Sequence, residues 1–153
     1  MRGTHPMRPR GFSMVELLVA LAIAATLAAI AWPGYRQLMH RAQRIEARLA
    51  LMQLQYLQER HFADHHAYAG ALRAGGDAAS LPMRALTDDG NYELALSLAP
   101  DGQTYVAIAR ASPSGRQAGD QNCQQLSINT VGERRSANAS GAWRAEPGGG
   151  CWG

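Results

Sequence analysis

The sequence has no lysine, and past residue 11 it has no excess charge of either sign. All 15 basic residues are arginine, set against 12 acids, and Arg2, Arg8 and Arg10 precede the first acid, Glu16. The other 12 arginines balance the 12 acids, so the net charge of +3 belongs to a leader and does not describe a nucleic-acid-binding domain. Only two cysteines occur, Cys123 and Cys151, which excludes a disulfide-dense miniprotein and a cysteine-only zinc site. Phosphate loops, zinc motifs and a nucleophile with its base are all missing, so the expectation is no enzyme, no cofactor and no metal. His61, Asp64, His65 and His66 come nearest to a metal cluster, but at a fraying helix end without a third fixed ligand they read as solvated surface. Asp88-Asp89-Gly90-Asn91 imitates a calcium loop and reads as the turn before a strand.

What the sequence does have is one long apolar run. Residues 14–32 read MVELLVALAIAATLAAIAW, with Glu16 the only charge and no glycine or proline before Pro33. Residues 12–32 as a helix would be roughly 31 Å long, the hydrocarbon thickness of a bilayer. A helix apolar on every face is a membrane span more readily than a soluble core helix. A secretory signal peptide would have a shorter apolar core. Neither a signal peptide nor a plain anchor explains Glu16, since a carboxylate costs roughly 2.5–3.5 kcal/mol at mid-bilayer, less near the interface, and such charges usually have a partner.

The residues around it supply one. Arg10-Gly11-Phe12-Ser13-Met14-Val15-Glu16-Leu17-Leu18-Val19 closely resembles the processing site of type IV prepilins: a basic leader ending in glycine, then phenylalanine, then a glutamate four residues on, then an apolar helix. The resemblance implies cleavage between Gly11 and Phe12 by a membrane prepilin peptidase and N-methylation of Phe12. It also implies an ion pair between Glu16 and the terminal amine of a neighbouring subunit, which answers the physical question the carboxylate raises. Pro33 stands where such runs end in this family and would kink the helix. Met7 is an alternative start that leaves the leader equally basic, as a cytoplasmic end should be. The implied location is the bacterial inner membrane, crossed once with the N-terminus in the cytoplasm, and then the pilus fibre at the cell surface.

From Tyr35 the pattern becomes amphipathic. Tyr35, Leu38, Ala42, Ile45, Leu49, Met52 and Tyr56 recur at spacings of three and four, with Arg36, Arg41, Arg44, Arg48, Glu46 and Gln58 on the other faces. This stripe is expected to be the face that packs on the domain; a coiled-coil partner is the less favoured reading because the repeat is short. Residues 67–90 read as a loop with one short helix near residues 78–85. Period-two patterning follows at Tyr92, Leu94, Leu96 and Leu98, at residues 104–111 with Val106 and Ile108 on one face, at Leu126 and Ile128, and around residues 135–137. The expected fold is therefore α+β, the type IV pilin fold. Its parts are a leader (1–11), an assembly helix (12–33), the amphipathic second half of the helix (34–66), a loop (67–90), and a sheet of three to four antiparallel strands closed by a C-terminal disulfide (91–153). Outside the cytoplasm Cys123 and Cys151 would pair, closing a loop of about 29 residues for roughly 3–4 kcal/mol on the chain-entropy model.

The later residues narrow the resemblance. Ala42-Gln43-Arg44-Ile45-Glu46-Ala47-Arg48, then Gln58-Glu59-Arg60-His61-Phe62 with Tyr68, and the closing Cys151-Trp152 are similar to PilE-type minor pilins, a group that includes the ComP-type DNA-uptake receptor. The implied function is that of a minor pilus subunit whose partners are other pilins, the prepilin peptidase and the inner-membrane assembly machinery. Two alternatives share the N-terminal motif: a DNA-uptake receptor and a type II secretion pseudopilin. For DNA, Arg134, Arg135 and Arg144 offer a local patch and Trp143 a stacking ring. Against it, residues 61–153 hold seven arginines and nine acids, so a solvated turn is the favoured reading of that patch.

Overall fold

The computed structural model describes residues 12–73, 75, 79–146 and 150–153. The leader, with Gly11 and both candidate starts, lies outside them, as does Ala78 at the start of the expected short helix. The chain divides into two compact units, Met1–Gln37 and Leu38–Gly153, and one helix, α1 (Met14–His65), contributes to both.

In the first unit every described residue is exposed, and the helix is long and apolar enough to cross a membrane. Ser13 caps it: its carbonyl accepts the Leu17 N–H at 3.2 Å. Thr26 Oγ1 donates to the Ile23 carbonyl at 2.8 Å, so the hydroxyl inside the apolar run is satisfied by the backbone. The helix continues through Pro33.

In the second unit α1 ends at His65, where His66 adopts φ 56° and its N–H returns to the Phe62 carbonyl at 2.8 Å. This left-handed cap reverses the chain. Gln58 then clamps the reversed segment, its amide donating to the Ala69 carbonyl at 2.8 Å and accepting the Ala69 N–H at 2.9 Å. Gln58 is fully buried, not on the solvated face that periodicity gives it. Its two hydrogen bonds offset the burial. Tyr68 follows, stacked on Phe62 at 4.6 Å and edge-on to Tyr105 at 4.8 Å.

Two short strands, β1 (Ala71–Leu72) and β2 (Ser80–Leu81), form a minimal parallel pair. Among the described residues from 79 to 85 there is no helix; Leu81 is buried as part of a strand instead. The main sheet has five antiparallel strands in sequential order: β3 (Tyr92–Leu98), β4 (Tyr105–Ala111), β5 (Gln125–Asn129), β6 (Arg134–Ala137) and β7 (Trp143–Ala145). The expectation of three to four strands falls one short, because β7 is three residues long with no alternating apolar pattern. Between β4 and β5 the chain makes a short 3-10 turn, Arg116–Gly119. The inner face of the sheet presents Tyr92, Leu94, Tyr105, Ala107, Ala109, Leu126 and Ile128 to Ala47, Leu51 and Leu54 of α1, all buried. Ala107 and Ala109, fully buried on β4, leave room for the helix, while Val106 and Ile108 turn to the outer face.

Candidate functional site

Three features of the chain have chemistry to offer. The first is the start of α1. Glu16 lies in its first turn and has no cationic partner among the described residues; the ion pair they hold is Arg44–Asp120. A carboxylate in the first helical turn is favoured by the helix dipole.

The second is the face of α1 that the domain leaves uncovered, and here periodicity misleads. The stripe residues of the second unit, Leu38, Ala42, Ile45, Leu49, Met52 and Tyr56, do not pack on the sheet. Leu49 is 61% and Tyr56 65% exposed, while Leu51 and Leu54 are fully buried. At about 100° per residue, the residues of this stripe from 38 to 56 centre roughly opposite Ala47, Leu51, Leu54 and Gln58. The helix is thus apolar on two faces, and the sheet takes only one. The uncovered face alternates spacings of four and three, the a/d seam of a helix that meets another helix. Beside it runs a groove of about 1000 Å³ between α1 and residues 82–91, sharing Ile45 and Leu49 with the seam and walled by Met39, Met83 and Leu86. Its far wall is fixed by Glu46, which accepts from Asn91 Nδ2 at 2.6 Å and the Asp89 N–H at 3.2 Å. Residues 88–91 are therefore a turn held to the helix, with Gly90 at φ 71°. Gly115 is needed opposite, since a Cβ there would meet Asn91 Cα and the Gly90 carbonyl at 2.9 Å.

The third feature is the edge closed by the disulfide between Cys123 and Cys151. Asp120 sits at its root, accepting Arg44 Nε at 2.7 Å, Gln117 Nε2 at 2.6 Å, and the N–H groups of Asn122 and Cys123 at 3.2 and 3.3 Å. Burial by itself would raise the Asp120 carboxyl. The Arg44 guanidinium and the two backbone donors outweigh it and hold the group below the ordinary value of 3.8. The stability it contributes is complete above that value and is lost as the pH falls through the depressed folded-state value. Asp120→Ala is expected to cost about 3–5 kcal/mol, because the Arg44 charge is left without its partner. Asp120→Asn should flatten the acid limb of the melting curve between about pH 5 and pH 2, and an unchanged acid limb would remove this role.

Around the same edge the structure rearranges the arginine patch. Arg134 and Arg135 are adjacent on β6 and point to opposite faces, since Arg134 pairs with Ile128 and Arg135 with Ser127. Arg135 therefore leaves the group and shares the outer face with Trp143. Arg134 instead stacks on Trp152, its Cζ 5.3 Å from the ring centroid. Arg144 donates to the Asn122 carbonyl at 3.3 Å. A residue periodicity did not flag completes the cluster: Arg48 of α1 donates to the Trp152 carbonyl at 2.8 Å. No sequence signal joins Arg48 to a site 104 residues away; it follows from burial of Trp152 against α1. His61 and His65 stack at 4.2 Å with each Nδ1 on a backbone carbonyl, and among the described residues no three His, Cys, Asp or Glu side chains are placed to share a metal ion.

A long helix carried on an antiparallel meander, with a disulfide-closed C-terminal edge, is the type IV pilin fold. A solved type IV pilin from Shewanella oneidensis superposes with a TM-score of 0.50, covering 74% of this chain and 98% of that one at 18% identity. Residues 6–32 match the prokaryotic N-terminal methylation motif, and residues 33–127, more than half of the chain, match the family described as type IV minor pilin ComP, DNA uptake sequence receptor. The chain belongs to that family and is a minor pilin subunit. A further relative, the type IV major pilin protein PilA of Myxococcus xanthus (strain DK1622), is 36% identical over 62 residues. That match takes in 40% of this chain and 28% of the relative, so the chain spans little more than a quarter of PilA.

Proposed function

We propose that the chain is cut between Gly11 and Phe12 by a membrane prepilin peptidase, N-methylated on Phe12, and assembled into a pilus through α1. Before assembly the helix crosses the inner membrane once with its N-terminus in the cytoplasm, and the assembly machinery then draws it into the fibre. The observation that carries this reading is the second apolar face of α1. A seam of six positions from Leu38 to Tyr56, unoccupied by the chain's own domain and spaced for a helix, fits a partner helix from a neighbouring pilin. Glu16 would meet the amine of a neighbour's Phe12 at the start of the same helix, and Pro33, which deletes one backbone donor, would supply its kink. The protein works as a structural subunit.

The test is a pair of variants. Gly11→Val is expected to retain the leader. Glu16→Val is expected to be cut normally and to be depleted in fibres by an order of magnitude or more, as read by immunoblot of sheared pili against the membrane fraction. Normal incorporation of the Glu16 variant would remove the ion pair, and a mature product from Gly11→Val would overturn the cleavage site.

A second reading, DNA binding, is favoured by the family description that residues 33–127 match. The head does not carry a general basic field, so any DNA contact has to be local.

A further inference from the structure

We propose that Met52 is an oxidation site that gates assembly: hydrogen peroxide converts its thioether to the sulfoxide, and the oxidised chain is held out of the fibre. This rests on the assembly reading above, because it places Met52 in the seam that a neighbouring helix covers. Thiols and thioethers are the side chains that mild oxidants attack. Both cysteines are closed in the Cys123–Cys151 disulfide and no free thiol is left, so methionine supplies the remaining sulfur. The sequence has six methionines. Met1 and Met7 precede the proposed cut, and Met14 stands in the apolar run of the membrane helix. Met39 and Met83 are half-buried in the walls of the groove. Met52 is left, 48% exposed and beyond the apolar run on α1.

Its position decides what oxidation does. Leu49 lies three residues before it and Tyr56 four residues after, both exposed, so Met52 sits within the apolar seam and not at its end. The residues that this stretch of helix gives to the core, Leu51 and Leu54, are on another face. In the free chain the sulfur meets water, and so does the oxygen that oxidation adds, which leaves the domain undisturbed. In a helix-to-helix contact the same oxygen is a strong acceptor shut among apolar side chains, and an acceptor buried without a donor opposes the contact. Oxidation therefore acts on assembly and not on folding, as it does where methionine lines an interface. The step balances without a cofactor. The sulfur lone pair attacks one oxygen of the peroxide, a sulfur–oxygen bond forms as the oxygen–oxygen bond breaks, and the proton on the transferred oxygen passes to the departing hydroxide, which leaves as water. Sulfur is oxidised and the peroxide reduced by the same electron pair.

The experiment shears existing fibres from cells that carry the full chain, applies a hydrogen peroxide pulse, quenches it with catalase and lets fibres regrow. Peptide mass spectrometry then reads the sulfoxide fraction at Met52 in the new fibres and in the membrane. The fraction is expected to be lower in the fibres by about fivefold or more, the size of effect that an unpaired buried acceptor brings. Met52→Leu conserves volume and should assemble equally well with and without the pulse. Met52→Gln, polar without any oxidant, should be depleted in fibres while melting as the wild type does. Equal sulfoxide fractions in fibres and membrane, a pulse that oxidises Met39 or Met83 but not Met52, a Met52→Leu chain that is as sensitive as the wild type, or a Met52→Gln chain at the wild-type level in fibres each overturns the proposal. Leu49→Asp separates this failure from that of the seam. If that variant is excluded from fibres while Met52 sulfoxide is admitted, only the oxidation site fails; if it enters fibres normally, the seam itself does.

Discussion

Leu49→Asp is expected to leave the domain folded and to keep the chain out of fibres, while Leu51→Ala, two residues along the same helix, is expected to destabilise it. Leu51 is fully buried against the sheet, and deleting such a side chain costs about 2–5 kcal/mol. For a domain of this size that lowers the melting temperature by roughly 10 °C or more. Leu49 is 61% exposed, so a charge there meets water in the free subunit and changes stability by at most about 0.5 kcal/mol. In a helix-to-helix seam the same charge would be buried without a partner, which costs several kcal/mol and removes the contact. The two measurements are melting by circular dichroism in micelles and the ratio of fibre to membrane protein. If Leu49→Asp enters fibres at the wild-type level, the seam has no part in assembly.

Removal of the disulfide, by reductant or by Cys123→Ser with Cys151→Ser, has the next largest expected effect. A separation of 28 residues gives about 3–4 kcal/mol on the chain-entropy model. The cost reaches further than the loop, because Cys151 anchors Trp152, which is buried while Trp32 and Trp143 are exposed. The Trp152 indole N–H donates to the Arg135 carbonyl at 3.0 Å, and Arg48 and Arg134 are arranged on the same residue. Reduction should therefore lower the melting temperature by roughly 15 °C and shift tryptophan emission to the red as Trp152 meets water. Melting that is the same with and without reductant would mean that Trp152 is held by packing alone.

Much of this was legible from the residues themselves. The apolar run, the glutamate within it, the amphipathic helix behind it and the period-two strands each follow from local pattern, and β3 and β4 lie where alternation puts them. The parts that were not legible have a common cause. On α1 large apolar residues lie on both faces, Leu49 and Tyr56 outward and Leu51 and Leu54 in the core, and on β4 Val106 and Ile108 face outward while Ala107 and Ala109 are buried. Periodicity finds a stripe, but it does not say whether the chain's own sheet or another molecule covers it. Gln58 was misplaced for a related reason, since its polarity suggests solvent while its two hydrogen bonds to Ala69 satisfy it in the core. The arginine patch failed on geometry, because neighbouring residues on a strand point to opposite faces. Its replacement by Arg48 depends on a tertiary contact that no local pattern encodes.

The claim on which the rest depends is that a processed, methylated helix carries this domain into a fibre. Mass spectrometry of sheared surface fibres beside the membrane fraction tests it most directly. The account predicts an N-methylated peptide beginning at Phe12, present in the fibres at low stoichiometry. A mature product that still begins at Met1 or Met7, or a Phe12 peptide confined to the membrane, would contradict it.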